Sequence, residues 1–344
     1  MSTKLRLLYV GNALSKHGYT PTSIETLSAQ LREDYDVMVT SDKKNQLFRL
    51  LDMFISVVAH RNKVDCVLID TYSTKNFYFA LMVSLLARLF KIPYFTYLHG
   101  GDLPKRLDRA PLSSSWVFKN ALVNIAPSHY MQEAFTRHGY KVTFIPNNID
   151  LSMYENKLRE NISPSLLYVR SFSSVYNPQM AIKAFVMLKE KYPKATMCMV
   201  GPDKDGTLQT CKELTSELGI SEAVTFPGKL EKKDWLALSS KYDIFVNPTN
   251  FDNQPVSIIE AMALGFPIVS TNVGGLPFLI EDEVDGLLVD KDDSVAMFEK
   301  VQRLLQDKEY AKKLSLNARK KAESFDWLNV QKLWKKVLNK VEKR

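Results

Sequence analysis

Three cysteines in 344 residues, Cys66, Cys198 and Cys211, are too scattered and odd in number for a disulfide framework or a metal cluster. They read as reduced, buried thiols of a chain kept in a reducing, cytoplasmic compartment. Long apolar runs are also missing. The most apolar stretch, residues 77–90, is one core helix long and carries Arg88, whereas a membrane span needs about 20 apolar residues. The start of the chain runs straight into a strand-like segment without a signal-peptide pattern. The expectation is therefore a soluble, cytoplasmic protein. Chemistry-bearing signatures are sparse too: no phosphate-binding P-loop, no Ser–His–Asp arrangement and no zinc-ligand spacing appears. The turn Gly11-Asn12-Ala13-Leu14-Ser15-Lys16-His17-Gly18 lacks the three close-set glycines of the dinucleotide fingerprint, which disfavours a nicotinamide enzyme.

What the chain does contain is an ordinary globular composition, 45% apolar and 24% charged. At roughly 150 residues per domain, its length predicts two domains, each with its own core. Apolar runs alternate with amphipathic segments from end to end, the pattern of an α/β fold with parallel sheets. Strands are predicted at Leu5–Val10, Asp36–Thr40, Cys66–Ile69, Tyr94–Leu98, Leu122–Ala126 and Thr143–Ile145, and again at Ser165–Val169, Thr196–Val200, Ala223–Phe226, Ile244–Val246, Ile268–Ser270 and Leu287–Val289. Helices are predicted between them, with one long helical end from Ser294. A polar, proline-bounded linker from Pro146 to Pro164 marks the break. The expected domains are 1–150 and 151–325, followed by a basic amphipathic helix at 326–344.

The net charge of +8 is unevenly placed. Residues 251–309 hold 4 Lys/Arg against 12 Asp/Glu, and residues 310–344 hold 11 against 3. The basic end has two readings. One is a solvated helix face. The other is a patch for an anionic membrane, because Lys320, Lys321, Lys332, Lys335, Lys336, Lys340 and Lys343 interleave with Trp327, Leu328, Leu333, Trp334 and Leu338. Nucleic acid is disfavoured, since no recognition motif accompanies the charge.

The most informative run lies between Asp252 and Gly275. It places Asp252 before a predicted helix and Glu260 one turn into it, between two strand-like segments. Ligands of parallel sheets bind at the carboxyl ends of the strands, and the helix start offers free N–H groups and a positive dipole end to a phosphate. The carboxylates suit the hydroxyls of a sugar or ribose. Arg170 ends another strand and suits a diphosphate. His99, with Gly100 and Gly101, closes the strand Tyr94–Leu98 and is placed to orient a hydroxyl or share a proton. Gly11 and Gly18 bound a loop where backbone can approach a ligand. Asp203-Lys204-Asp205-Gly206 reads as a turn rather than a metal site, and no metal is expected.

Together these residues resemble a retaining glycosyltransferase of the GT-B fold, family 4, over nearly the whole chain. The most specific motif is an acid, seven residues, Glu, then Ala-Met-Ala, Gly-x-Pro-Ile-Val-Ser-Thr and a Gly-Gly turn, all present from Asp252 to Gly275. Ile145-Pro146-Asn147-Asn148-Ile149-Asp150 resembles the family's interdomain junction. The resemblance implies two Rossmann-like domains facing each other across a cleft, the first binding acceptor and the second a UDP- or GDP-linked sugar donor. The acceptor would be a glycan or lipid-linked molecule, in surface polysaccharide or glycoconjugate synthesis, with hexosyl transfer and no cofactor or metal. Contact with the inner face of the membrane would be peripheral. The C-terminal helix would return to the first domain. By the same resemblance Glu260 holds the ribose, Asp252 lies near the donor sugar and His99 faces the transferred sugar. Asn253, Gln254, Pro255 and Val256 bind sugar and phosphates, and Lys229 and Leu230 lie in the loop that touches the base. Three positions depart from the family pattern: Asp252 stands for the usual Glu, Val169 for a glycine, and Val175 or Tyr176 for a phosphate-binding lysine. Lys229 is the expected replacement cation, with Tyr176 a neutral donor beside it. The departures leave two alternatives, a non-catalytic GT-B partner subunit and a GT-B sugar-nucleotide epimerase.

Overall fold

A computed structural model describes residues 4–19 and 21–341. The chain divides into two units, Met1–Pro146 with Gln331–Arg344, and Asn147–Val330. The first contains β1 (Arg6–Val10), α1 (Ser23–Leu31), β2 (Asp36–Thr40), α2 (Gln46–His60), β3 (Cys66–Thr71), α3 (Phe77–Leu89), β4 (Tyr94–Leu98), α4 (Leu103–Arg109), α5 (Pro111–Phe118), β5 (Val123–Ala126), α6 (His129–Arg137) and β6 (Val142–Phe144). Its six-stranded sheet is parallel, in the order β2-β1-β3-β4-β5-β6. β3 and β4 are buried along their whole length, as expected of central parallel strands covered on both faces. One face packs Leu8, Val10, Val67 and Ile69 against Met53, Val57, Phe77, Val83 and Val117 of the helices.

The second unit contains β7 (Ser165–Val169), α7 (Pro178–Lys191), β8 (Thr196–Val200), α8 (Thr207–Glu217), β9 (Val224–Gly228), α9 (Lys232–Ser239), β10 (Ile244–Asn247), α10 (Val256–Ala263), β11 (Ile268–Thr271), α11 (Leu276–Leu279), β12 (Leu287–Val289), α12 (Ser294–Gln306) and α13 (Lys308–Ala322). It too is a parallel six-stranded sheet, ordered β12-β11-β10-β7-β8-β9. The fold is α/β, with two Rossmann-like domains. α10 is buried on nearly every side, which its run of Ile, Ala and Met allows.

The helical end from Ser294 comprises α12, α13 and, from Trp327, the separate C-terminal helix expected there. Asp307 caps the second by accepting from Tyr310 N at 2.9 Å. The chain then turns extended at Asp326 before α14 (Trp327–Leu338), whose residues from Gln331 onward belong to the first unit. There Trp334 meets Tyr97 edge-on at 5.3 Å, and Gln331 and Lys335 both bind Asp34 at 2.8 Å. The membrane-patch reading of this helix loses its apolar half for a physical reason. Trp327, Trp334 and Leu338 are buried in protein, and only Leu328 and Leu333 face outward. Lys343, part of that reading, lies outside the described residues. The stretch from Gly101 to Lys119, given no helix above, forms α4 and α5. Pro104 and Pro111 sit in their first turns, where a missing N–H costs nothing.

Candidate active site

In each unit, strand order reverses beside the first strand, and the carboxyl ends there are where such sheets bind ligands. In the second unit the reversal falls between β7 and β10. Arg170 follows β7, and its N–H donates to Val200 O at 3.0 Å. Asp252 lies on the loop after β10. The two meet: Arg170 Nη2 donates to Asp252 Oδ2. Arg170 Nη2 also donates to the Tyr176 hydroxyl at 3.3 Å, and its Cζ lies 4.4 Å from the Tyr176 ring centroid. Burial is the largest influence on the guanidinium and lowers its pKa, but Asp252, Tyr176 and Tyr168 outweigh it and the net direction is up. Arginine therefore stays charged here. Its Nε is buried and has no hydrogen-bond partner among the described residues. Tyr176, one of the two positions where a lysine is expected, lies as a ring under arginine, and the neighbouring Ser173 and Ser174 anchor on Asp205 at 2.9–3.1 Å. Asp203 accepts from Gly206 N at 3.0 Å, so the Asp-Lys-Asp-Gly segment is a turn.

The loop from Asp252 to Pro255 is held tightly. Asn253 N donates to its neighbour's Asp252 Oδ1 at 2.8 Å. Gln254 Oε1 accepts from Asn147 N at 2.7 Å, and Asn147 Nδ2 donates back to Gln254 O at 3.0 Å. Gly275 N donates to Asp252 O at 2.9 Å. A Cβ at Gly275 would stand 1.7 Å from Asn253 O, and one at Gly274 2.3 Å from Asp252 O. The Gly-Gly turn is what lets the acidic loop lie flat on it. α10 then begins at Val256 behind Pro255, with no side-chain cap. Its first N–H groups have no partner within the helix, and the Ser257 hydroxyl beside them is buried and unpartnered among the described residues.

Glu260, one turn further, accepts from the Tyr154 hydroxyl at 2.8 Å and from Lys232 Nζ, both at Oε1. Burial, then the Glu260 charge, drives the Tyr154 phenol well up. Lys232 opens α9 and lies 4.9 Å from the Tyr154 ring centroid. The cation brought to this carboxylate is therefore Lys232. Lys229, expected in place of the phosphate-binding lysine rather than beside Glu260, is exposed just after β9, and Leu230 packs part-buried against the core.

In the first unit the reversal falls between β1 and β3. His99, after β4, bonds Asp70 at the end of β3, with Nε2 to Oδ1 at 2.7 Å. The Tyr9 hydroxyl donates to the same oxygen at 2.9 Å. The His99 ring stacks on Tyr72 at 5.4 Å and meets Tyr97 edge-on at 4.1 Å. Asp70 Oδ2 is buried with no hydrogen-bond partner among the described residues. A Cβ at Gly11 would stand 2.4 Å from that oxygen, so Gly11 makes room for the carboxylate. Gly18 ends a short turn at φ 82° with open space around it. His17 bonds Asp42 O at 2.9 Å. Among the described residues no group of three or more His, Cys, Asp or Glu side chains is placed to hold a metal ion. None of the described helices is long and apolar enough to cross a membrane.

Two family models divide the chain between them: "Glycosyltransferase Family 4" matches residues 6–153 and "Glycosyl transferases group 1" residues 154–321. The chain is a family 4 glycosyltransferase of the GT-B fold. Among curated relatives, this glycosyltransferase is 28% identical over 170 residues to a D-inositol 3-phosphate glycosyltransferase of Corynebacterium urealyticum. That match takes in 48% of the chain and only 40% of the relative's length. An uncharacterized glycosyltransferase of Haemophilus influenzae is 24% identical and aligns over 96% of the chain and 98% of its own length. In structure the glycosyltransferase resembles sucrose-phosphate synthase from Thermosynechococcus elongatus, with a TM-score of 0.78 at 15% identity over 98% of this chain and 99% of that one. It also resembles Anabaena HepE in complex with UDP and glucose, at 0.76 and 18% over 97% and 99%.

The residues around His99 and Glu260 that the sequence reading missed are Asp70, Tyr9, Tyr72, Tyr154 and Lys232. Asp70 had a signal, an acid ending an apolar strand at the ligand-facing end. Tyr154 and Lys232 had none, because each is defined by a partner far away in sequence.

Proposed function

We propose that the protein transfers a hexose from a nucleotide-sugar to a hydroxyl of a glycan or lipid-linked acceptor, with retention, in surface polysaccharide or glycoconjugate synthesis. A UDP-linked donor is favoured, since the HepE neighbour holds UDP and glucose, with GDP-linked sugars the alternative. The observation that carries the reading is the Arg170–Asp252 pair at the β7–β10 reversal, with the unpartnered Ser257 hydroxyl and the free start of α10 in the same unit. Donors left unsatisfied in protein suit an incoming diphosphate, and positioned charge of this kind stabilises a departing one. Glu260 is assigned to the ribose hydroxyls, with Tyr154 and Lys232 fixing its orientation. Asp252 is assigned to the donor sugar and His99, fixed by Asp70, to a substrate hydroxyl. No side chain is assigned as a covalent nucleophile, and no metal is assigned to the reaction.

The test is nucleotide release from a panel of UDP- and GDP-sugars, with and without acceptor and with and without EDTA. Release should need the Arg170 guanidinium, fall at least about a hundredfold in Arg170→Met and persist in EDTA. Absence of binding to every nucleotide-sugar would overturn the reading. Conversion of the donor to another sugar-nucleotide without acceptor would identify an epimerase instead.

A further inference from the structure

α2, α3 and α5 lie side by side in the first unit, each packing on the next over one face of the sheet. Their inner stripes bury Met53 and Val57, Phe77 and Val83, and Val117 and Phe118. The outer stripes are apolar as well. On α2, Leu47, Leu51, Phe54 and Ile55 follow a one-sided helical spacing and are exposed, with Phe48 beside them, Leu47 and Phe48 each at 63%. α3 presents Tyr78, Leu85 and Leu89, the last at 71%, and α5 presents Leu112 at 79% and Trp116. Soluble monomers seldom show a contiguous apolar surface of this extent without a partner for it.

Charge names the partner. Residues 43–91 hold eight Lys/Arg against three Asp/Glu. None of the three acids is left to face outward. Asp70 is buried, Asp65 is paired with Arg6 at 2.8 Å, and Asp52 accepts from Thr40 Oγ1 at 3.2 Å. Lys44, Arg61, Lys63, Lys75, Arg88 and Lys91 are exposed. A second copy docked on the same face would set this basic rim against itself, which like charges oppose. Apolar helices lying flat with lysine and arginine at their margins suit an interface of acyl chains beneath anionic headgroups. We propose that the outer face of α2, α3 and α5 docks this protein on an anionic lipid surface. The basic C-terminal helix does not supply that face, because its tryptophans are buried.

The experiment is flotation of the full chain with phosphatidylcholine vesicles, with and without about 30% phosphatidylglycerol, at salt from about 50 to 500 mM. Phe48→Ser/Ile55→Ser changes two outward side chains and should weaken binding to the anionic vesicles about tenfold or more at an unchanged Tm. Lys44→Glu/Lys75→Glu should do the same and flatten the salt dependence. Leu328→Ser/Leu333→Ser on the tail should bind like the parent. No binding to anionic vesicles would overturn the proposal, and so would unchanged binding by Phe48→Ser/Ile55→Ser. Self-association abolished by that variant, without vesicle binding, would give the face to a second copy. Nucleotide release from the donor in the presence of a soluble acceptor should be indifferent to all three variants, so failure here leaves the transferase reading separately testable.

Discussion

Replacing Glu260 separates a residue that holds the fold from one that holds a ligand. Its Oε1 takes two hydrogen bonds, from the neutral Tyr154 hydroxyl and from the charged Lys232 ammonium. In Glu260→Ala the Tyr154 hydroxyl, in a side chain buried to 3% exposure, loses its acceptor, a loss of about 1–3 kcal/mol. Lys232 is 39% exposed and turns to water, so the broken ion pair adds only about 0–1 kcal/mol. The unit should therefore lose about 1–4 kcal/mol. Glu260→Gln keeps an acceptor for Tyr154 and should lose about 1 kcal/mol or less. Nucleotide affinity divides the variants differently. One carboxylate–hydroxyl bond is worth about 1.5–3 kcal/mol, so the alanine variant should bind UDP about 10- to 150-fold more weakly. The amide retains a neutral bond of about half that strength and should fall between alanine and parent. Thermal unfolding without nucleotide gives the first ledger, and calorimetric titration with UDP gives the second. A Glu260→Ala protein with parental UDP affinity would refute the ribose assignment. Parental stability would refute the Tyr154 argument. Lys232→Met completes the set. If Lys232 orients Glu260, its removal should weaken UDP binding while leaving the Tyr154 bond and most of the stability in place.

Gly275 has an ordinary φ, yet a Cβ there meets Asn253 O at 1.7 Å, so Gly275→Ala should cost about 1–3 kcal/mol through overpacking and displace the Asp252–Gln254 loop. Gly139→Ala in open space should cost only its left-handed φ, about 1–2 kcal/mol, and spare nucleotide release; equal activity in the two variants would sink the close-approach argument. Asp70→Asn should leave His99 without its carboxylate and cut turnover at least about tenfold, with UDP affinity in the second unit unchanged; a parental rate would remove His99 and Asp70 from the reaction. Burial pushes the Asp243 carboxyl up, but bonds from Ser163 and attraction to Lys157 outweigh this and hold it below 3.8. A lowered folded pKa gives stability that is full above the unfolded value and is lost as pH falls through the folded one. Asp243→Asn should therefore be less stable than the parent near neutrality and converge with it as pH falls through the lowered folded pKa in denaturant titrations; a gap that persisted below it would show that charge is not the cause.

The strands were legible because central parallel strands are covered on both faces and read as unbroken apolar runs. Eight of their twelve starts and seven of their ends fall where the pattern put them, as at Tyr94–Leu98 and Thr196–Val200. No helix was read at α4 and α5, which begin with proline in their first turns. The candidates Arg170 and His99, each following a strand directly, could be picked out from topology alone, and Asp252 from the loop before α10. Their partners could not. Lys232 lies 28 positions from Glu260, Asp70 lies 29 from His99, and Tyr154 lies 106 from Glu260. Only the folded register of the strands and helices brings them together. Lys229 and Lys232 are nearly one helical turn apart, and the start of α9 decides which of them faces the carboxylate.

The absence of a lysine at positions 175 and 176, with Tyr176 in its stead beside Arg170, changes how charge is organised in this unit. A lysine would add a second cation beside Arg170. Tyr176 instead offers the face of its ring and a hydroxyl, both spent on Arg170 itself. The guanidinium is thereby fixed in the plane that meets Asp252, so orientation replaces added charge. A planar donor held this way loses little side-chain freedom on meeting a diphosphate. Asp252, one methylene shorter than glutamate, reaches Arg170 from the loop that Gly274 and Gly275 allow to lie close. The shortened acid and the tyrosine are then one adjustment, made over the Gly-Gly turn that the family motif already carries.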